Sequence, residues 1–384
     1  MGGETIPCRW TGGESVRLIS LDGSAVGERL IYELRDREGR VLLGAGSVLS
    51  GRHVELLRRR GYSSIPVNDP FAPDVTPEEP VRRELRQQAM ALLTERIDQV
   101  ESGGLPVTSA VRAVVDEILD DLVRNAALAC NLLSLRSAEN YLYVHSVNVC
   151  VYALMLSTAL GLDRVDRKHI GIGALLHDLG MVFYKDLLTQ PDALTGEQRA
   201  AIEGHTTIGF DIVRRQAEVD LRSAHVLLQH HERLDGSGYP RRLSGKQIHP
   251  WGQVVGVAEI FDTITSGRPY AQPRPAHIAI AALQEMGERQ GMDRFLVRYF
   301  CERVAAYPNG TIVELATGEI GVVVAQRTGG PFRPVVRVLA DRTHALISPE
   351  ERLIDSATPG TTIVEVHDDY PVKMLADTPD ASAM

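Results

Sequence analysis

Cysteine is scarce. Cys8, Cys130, Cys150 and Cys301 stand far apart with no CxxC pair, which excludes a zinc knuckle or a disulfide framework and fits a reducing compartment. No apolar run approaches the roughly 18 residues of a membrane span. The opening MGGETIPCRW also lacks the basic-then-apolar pattern of a signal peptide. The expectation is a soluble, cytoplasmic chain with no membrane partner. Positive charge is short as well: 41 basic against 50 acidic residues give a net charge of −9. Such a chain does not attract polymeric nucleic acid, so an anionic ligand must be drawn by a local feature. Only four of the basic residues are lysine, and no function follows from that. What remains is an ordinary globular balance, 44 % hydrophobic and 24 % charged over 384 residues, enough for two or three domains.

Along the chain, RLISL, RLIYEL and GRVLLGAGSVLS followed by HVELLRRRG predict strands and one short helix, a small α+β domain over 1–69. Pro70, Pro73, Pro77 and Pro80 then fall within eleven residues, so 70–80 is expected to be an irregular linker. Helical patterning covers 81–137, a candidate linker or dimer stalk, and continues over 138–306. TIVEL, GEIGVVVAQ and PVVRVLA are β-branched runs between glycine turns and predict a small β-rich domain over 307–372. Residues 373–384 read as a tail. The expected class is therefore mainly α, with a small α+β domain before the helical core and a β-rich domain after it.

The histidines of the helical region are arranged informatively. Tyr141, His145, Asn148, Val149, Tyr152 and Leu156 form one helical stripe. The next helix closes with His177-Asp178, a third predicted over 196–213 puts His205 beside Ile202 and Gly209, and a fourth ends in His230-His231. A lone histidine on an apolar face is ordinarily a packed core residue. Five of them plus an aspartate, converging from four helices, fit a buried metal site better. Imidazole and carboxylate suit iron, manganese or zinc, and six donors exceed one tetrahedral ion. Two ions bridged by Asp178 are expected. Such a pair lowers the pKa of a bound water and stabilises a phosphoryl displacement, so phosphate-ester hydrolysis is the leading chemistry, with Asp178 and His177 as its catalytic residues.

His177-Asp178, His205 and the segment HHERLDGSGYP (230–240) resemble the HD-GYP subgroup of HD-domain phosphohydrolases, and VAEIFDTITSGRPY (257–270) resembles the segment that follows the GYP loop. The resemblance implies an all-helical HD-type core and hydrolysis of cyclic di-GMP to pGpG or GMP. It implies two divalent ions, iron or manganese, with magnesium and zinc as further options. His145, His177, Asp178, His205, His230 and His231 fall on metal ligands. Glu259 falls where the family has a ligating aspartate, and Arg268 on an arginine that contacts ligand phosphate. Gly236 and Gly238 free the backbone for close approach, Tyr239 can stack on a base, and Pro240 stiffens the loop exit, which makes Gly238, Tyr239 and Pro240 candidate substrate contacts. The resemblance also implies protein partners at the GYP loop. The flanking domains are further candidates for docking, and a homodimer is open.

The chain departs from the pattern in places. It reads HDLGM where the family reads HDxGK, so Met181 replaces a lysine; Ala271 replaces a residue that is often basic; Tyr141 stands where a third-metal glutamate occurs in some members. These departures keep two alternatives open. One is a slow or inactive module acting as a cyclic di-GMP receptor or docking scaffold. The other is an HD hydrolase of a different nucleotide.

Overall fold

In the computed structural model the described residues are 16–371 and 374, apart from 22–24, 36–39, 61, 63, 70, 76–78, 105, 126–139, 191–193, 218, 267–272, 328–330, 355–359, 372 and 373. Arg268 and Ala271 lie outside them. The N-terminal unit pairs β1 (Arg17–Ser20) with β4 (Ser64–Val67) and β2 (Leu34–Arg35) with β3 (Val41–Leu43), both antiparallel. Helix α1 (Gly51–Arg59) starts at a capping box between Ser50 and His53.

The helical core begins with α2 (Arg83–Glu101) and α3 (Ser109–Arg124). Both share one apolar cluster with α4 (Tyr141–Ala159), to which Leu93, Ile97, Val115, Ile118, Val147 and Val151 all belong. Helices α2 and α3, from the region expected as a linker or dimer stalk, thus share the core. Helix α4 is buried from Tyr141 to Ser157; by length and composition it could cross a membrane, but 83 % of its apolar window is buried within the protein. Around it stand α5 (Arg164–Leu175), a 3₁₀ turn (Leu179–Tyr184), α6 (Lys185–Thr189), α7 (Gly196–Ile202), α8 (His205–Val213), α9 (Leu221–Gln229), α10 (Pro250–Ser266), α11 (Ala276–Glu288) and α12 (Arg294–Cys301). Side chains that accept first-turn amides set the starts: Asp163 for α5, Thr195 for α7, Asp220 for α9 and Asp293 for α12. The single helix expected over 196–213 is two helices, broken before His205.

The C-terminal unit is one antiparallel sheet in the order β8-β7-β6-β5-β9, built from β5 (Ile312–Leu315), β6 (Ile320–Ala325), β7 (Val335–Ala340), β8 (Leu346–Leu353) and β9 (Ile363–His367). The described residues of the proline-rich segment, 71–75, 79 and 80, form no helix or strand, and Phe71, Ala72 and Val75 pack in one cluster with Ile312, Ile320 and Tyr370 of this unit. Arg17 of β1 is buried between Glu28 and Asp369, and Tyr370 donates to Asp69 at 3.0 Å. The two small units are joined to each other, not only to the helices between them.

Candidate metal centre

Four of the six motif side chains owe their placement to helix ends. His177 and Asp178 follow the last turn of α5, His205 opens α8, and His230 caps α9. Carbonyls of a last helical turn lack intrahelical partners, and the histidines take them up. Nδ1 of His177 donates to Ala174 O at 2.8 Å, Nδ1 of His205 to Ile202 O at 2.7 Å, and Nδ1 of His230 to Leu227 O at 3.0 Å. His145 differs, because it lies inside α4. Its Nδ1 meets the carboxylate of Asp262, on α10, at 2.6 Å, and Asn148 donates to the other oxygen of Asp262 at 2.9 Å. A carbonyl can only accept, so each of those rings carries its proton on Nδ1 and turns a bare Nε2 inward.

The bare nitrogens converge in two groups. Nε2 of His145 and His177 are 3.3 Å apart, and those of His205 and His230 are 3.4 Å apart. Asp178 stands between the groups with one oxygen for each. Its Oδ2 is 3.7 Å from His145 and 3.5 Å from His177; its Oδ1 is 3.2 Å from His205 and 3.7 Å from His230. Candidate ligand atoms lie within 4.8 Å of one another in His145, His177 and Asp178, and again in Asp178, His205, His230 and His231. All six residues are buried. Burial holds the His177 imidazolium down to about 3 and that of His231 well below the usual range, so both rings are neutral at pH 7.

Among protein groups alone this arrangement is unsatisfied. Asp178 Oδ1 is buried with no hydrogen-bond donor, and acceptor nitrogens face one another with no proton between them. A buried carboxylate oxygen without a donor is costly. Divalent cations resolve both problems, and the donor set suits two of them, sharing Asp178.

Other expected residues fall differently. Glu259 is buried on α10 but belongs to neither group, and its Oε1 accepts from Thr263 at 3.0 Å. Met181 is buried in the apolar cluster, and Lys185 points to Asp98 at 3.4 Å. Tyr141 stacks on His145 with ring centroids 5.6 Å apart. In the loop after His231, the Tyr239 ring stacks on His231 at 4.5 Å. Gly238 is enclosed by backbone: a Cβ there would lie 2.4 Å from His231 O and 2.5 Å from Arg233 N. Pro240 is exposed. Glu232 is a buried carboxylate whose role the sequence did not disclose. For Asp262 the sequence left two roles open, orienting a ligand or capping a helix, and here it meets the His145 ring.

Residues 123–296 match the HD domain family, and residues 312–373 match the KOW domain associated with HD domain. The chain is 30 % identical over 305 residues to the cyclic di-GMP phosphodiesterase PA4108 of Pseudomonas aeruginosa, a match spanning 78 % of this chain and 73 % of that protein. It is 38 % identical over 133 residues to a cyclic di-GMP phosphodiesterase of Thermotoga maritima, spanning 34 % of this chain and 36 % of that one. Among solved structures it is similar to Bd1817, an HDG"Y"P protein from Bdellovibrio bacteriovorus, with a TM-score of 0.43 and 16 % identity over 74 % of this chain and 98 % of that one.

Proposed function

Since the chain belongs to the HD-GYP family of metal-dependent HD-domain phosphodiesterases, we propose that it hydrolyses cyclic di-GMP to pGpG or GMP at a two-ion centre shared through Asp178. The observation that carries this reading is the division of the Asp178 oxygens between two groups of inward-facing imidazole nitrogens. We assign His145, His177 and Asp178 to one ion, and Asp178, His205, His230 and His231 to the other. Iron and manganese suit this set best. Glu259 remains a candidate ligand on the strength of the motif.

When bound, the ions supply a water of lowered pKa and positive charge for the phosphate oxygens. The side chains of the chain do the rest. Backbone carbonyls and Asp262 fix the four tautomers, so no ring must reorient for its Nε2 to face the centre. Asp178 presents an oxygen to each side. Tyr239 packs one ring face on His231, which leaves a half-buried aromatic at the loop to meet a base. Gly238 lets that loop close on the backbone of residues 231–233, and Pro240 limits the turn beyond. Arg268 is proposed to contact phosphate, as the motif suggests.

A second reading is favoured by one observation. Met181 puts an apolar side chain where the motif has a lysine, and the nearest lysine in sequence, Lys185, is engaged with Asp98. A group that stabilises transition-state charge is commonly worth about 10²–10³ in rate, so a slow enzyme that retains cyclic di-GMP is the alternative. Turnover by protein purified without oxygen and supplied with ferrous iron or manganese separates the two, with His177→Ala as the blank. Metal-dependent pGpG or GMP supports the hydrolase. Tight binding of intact dinucleotide supports the receptor.

A further inference from the structure

We propose that Glu232 is a positioning residue that holds the GYP loop against His231 by seating its carboxylate in a backbone nest around Arg242. Glu232 is 3 % exposed and takes no part in either group of candidate ligands. Its Oε1 accepts from the amide of Arg241 and its Oε2 from the amide of Leu243, each at 2.8 Å. Between those amides Arg242 has φ +52°, in the left-handed region that a side chain disfavours. Backbone turned in that way aims successive N–H groups at one point and forms a concavity for an anion. Here the anion is internal, and its hold explains why a non-glycine residue keeps this conformation.

The consequence reaches the site through the chain itself. At its near end the loop is tied by Tyr239 N to His231 O at 3.3 Å. At its far end the tie is Glu232, the residue directly after His231. The stacking of Tyr239 on His231 is therefore set from both sides, and Glu232 supplies the side that bears charge. The competing explanation is that the Asp235–Ser244 bridge holds the loop unaided.

The proposal rests on the phosphodiesterase reading only where turnover is measured. The test is Glu232→Gln in the full chain loaded with manganese, followed by metal content, hydrogen exchange across residues 232–244, and kcat and KM for cyclic di-GMP. Glutamine replaces one acceptor with a donor that faces an amide. Metal content should stay at the wild-type value, exchange at residues 241 and 243 should quicken roughly tenfold or more, and KM should rise by a similar factor with kcat little changed. Arg242→Val, an exposed change that resists the left-handed region, should reproduce the faster exchange and keeps the test open if the glutamine variant misfolds. Arg242→Gly combined with Glu232→Gln should restore part of the protection. Unchanged exchange in both single variants would overturn the proposal, as would loss of metal together with an unchanged KM. If the wild type turns over no cyclic di-GMP, the exchange data still decide the role of Glu232, and only the substrate assignment fails.

Discussion

Nε2 of His145 lies 3.3 Å from Nε2 of His177, although Nδ1 of His177 already donates to a carbonyl and Nδ1 of His145 meets a carboxylate. Two acceptors at that separation repel unless a cation lies in reach of both. The fold therefore gains stability from metal as well as reactivity. A chelated sample should melt lower than the loaded protein, with refilling worth about 2.7 kcal/mol when free metal is 100-fold above its dissociation constant. His177→Ala should bind less metal per chain by elemental analysis and show a smaller melting shift. An equal shift in that variant would place the ions elsewhere.

Asp262 orients His145 without belonging to either ligand group. Asp262→Asn preserves shape but removes the charge that favours the Nδ1–H tautomer. Partners of this kind commonly contribute about 10–100-fold in metal affinity or activity. Competition with a chromogenic chelator should show a loss of that size, confined to one of the two ions. Equal weakening of both would indicate that α10 itself had moved.

The legible part of this site was its residue identities. His145, His177, Asp178, His205, His230 and His231 sit at helical spacings or helix ends, and short-range pattern is what a sequence displays. The break before His205 was hidden because an apolar period runs through it unbroken. The partner of Asp262 was hidden for another reason: it meets His145 across 117 positions, and nothing local marks such a pairing. The prolines of 70–80 could not disclose that Ala72 and Val75 are buried against the C-terminal sheet. Patterns report what a segment is, and only the fold reports what it touches.

Gly180 is the closest approach in the centre. A Cβ there would lie 2.1 Å from His205 O and 2.8 Å from His205 Cα. Backbone cannot yield as a side chain can, so Gly180→Ala must push the start of α8 away from Asp178. Overpacking of this kind costs about 1–3 kcal/mol, which denaturant unfolding would register. The ion proposed for Asp178, His205, His230 and His231 should be lost first, and full metal occupancy in a destabilised variant would contradict that order.

Met181 tests whether charge limits the rate. Its amide donates to Asp178 O at 2.8 Å, and its side chain lies in the apolar cluster. Met181→Lys introduces an ammonium beside the centre and should raise kcat by roughly 10². The melting temperature should fall, because the same ammonium loses water on burial. A lower melting temperature with unchanged kcat would mean that the step a lysine assists is not the slow one here.

The metal-free protein should lose stability toward acid. Burial keeps the folded pKa of His177 near 3 and that of His231 well below the usual range, whereas both titrate near 6.5 when unfolded. Below that value the unfolded chain binds protons that the folded chain refuses, so unfolding becomes easier as pH falls. Each histidine contributes about 1.4 kcal/mol per pH unit in this window. For His177 the effect ends as pH approaches the folded value. Urea unfolding of the chelated protein at pH 7.5 and 5.5 measures the slope, and His177→Ala should flatten it by one group's share. Stability that held level or rose toward pH 5.5 would mean that the imidazoles are already charged inside the fold, and the inward lone pairs on which the metal centre depends would not exist.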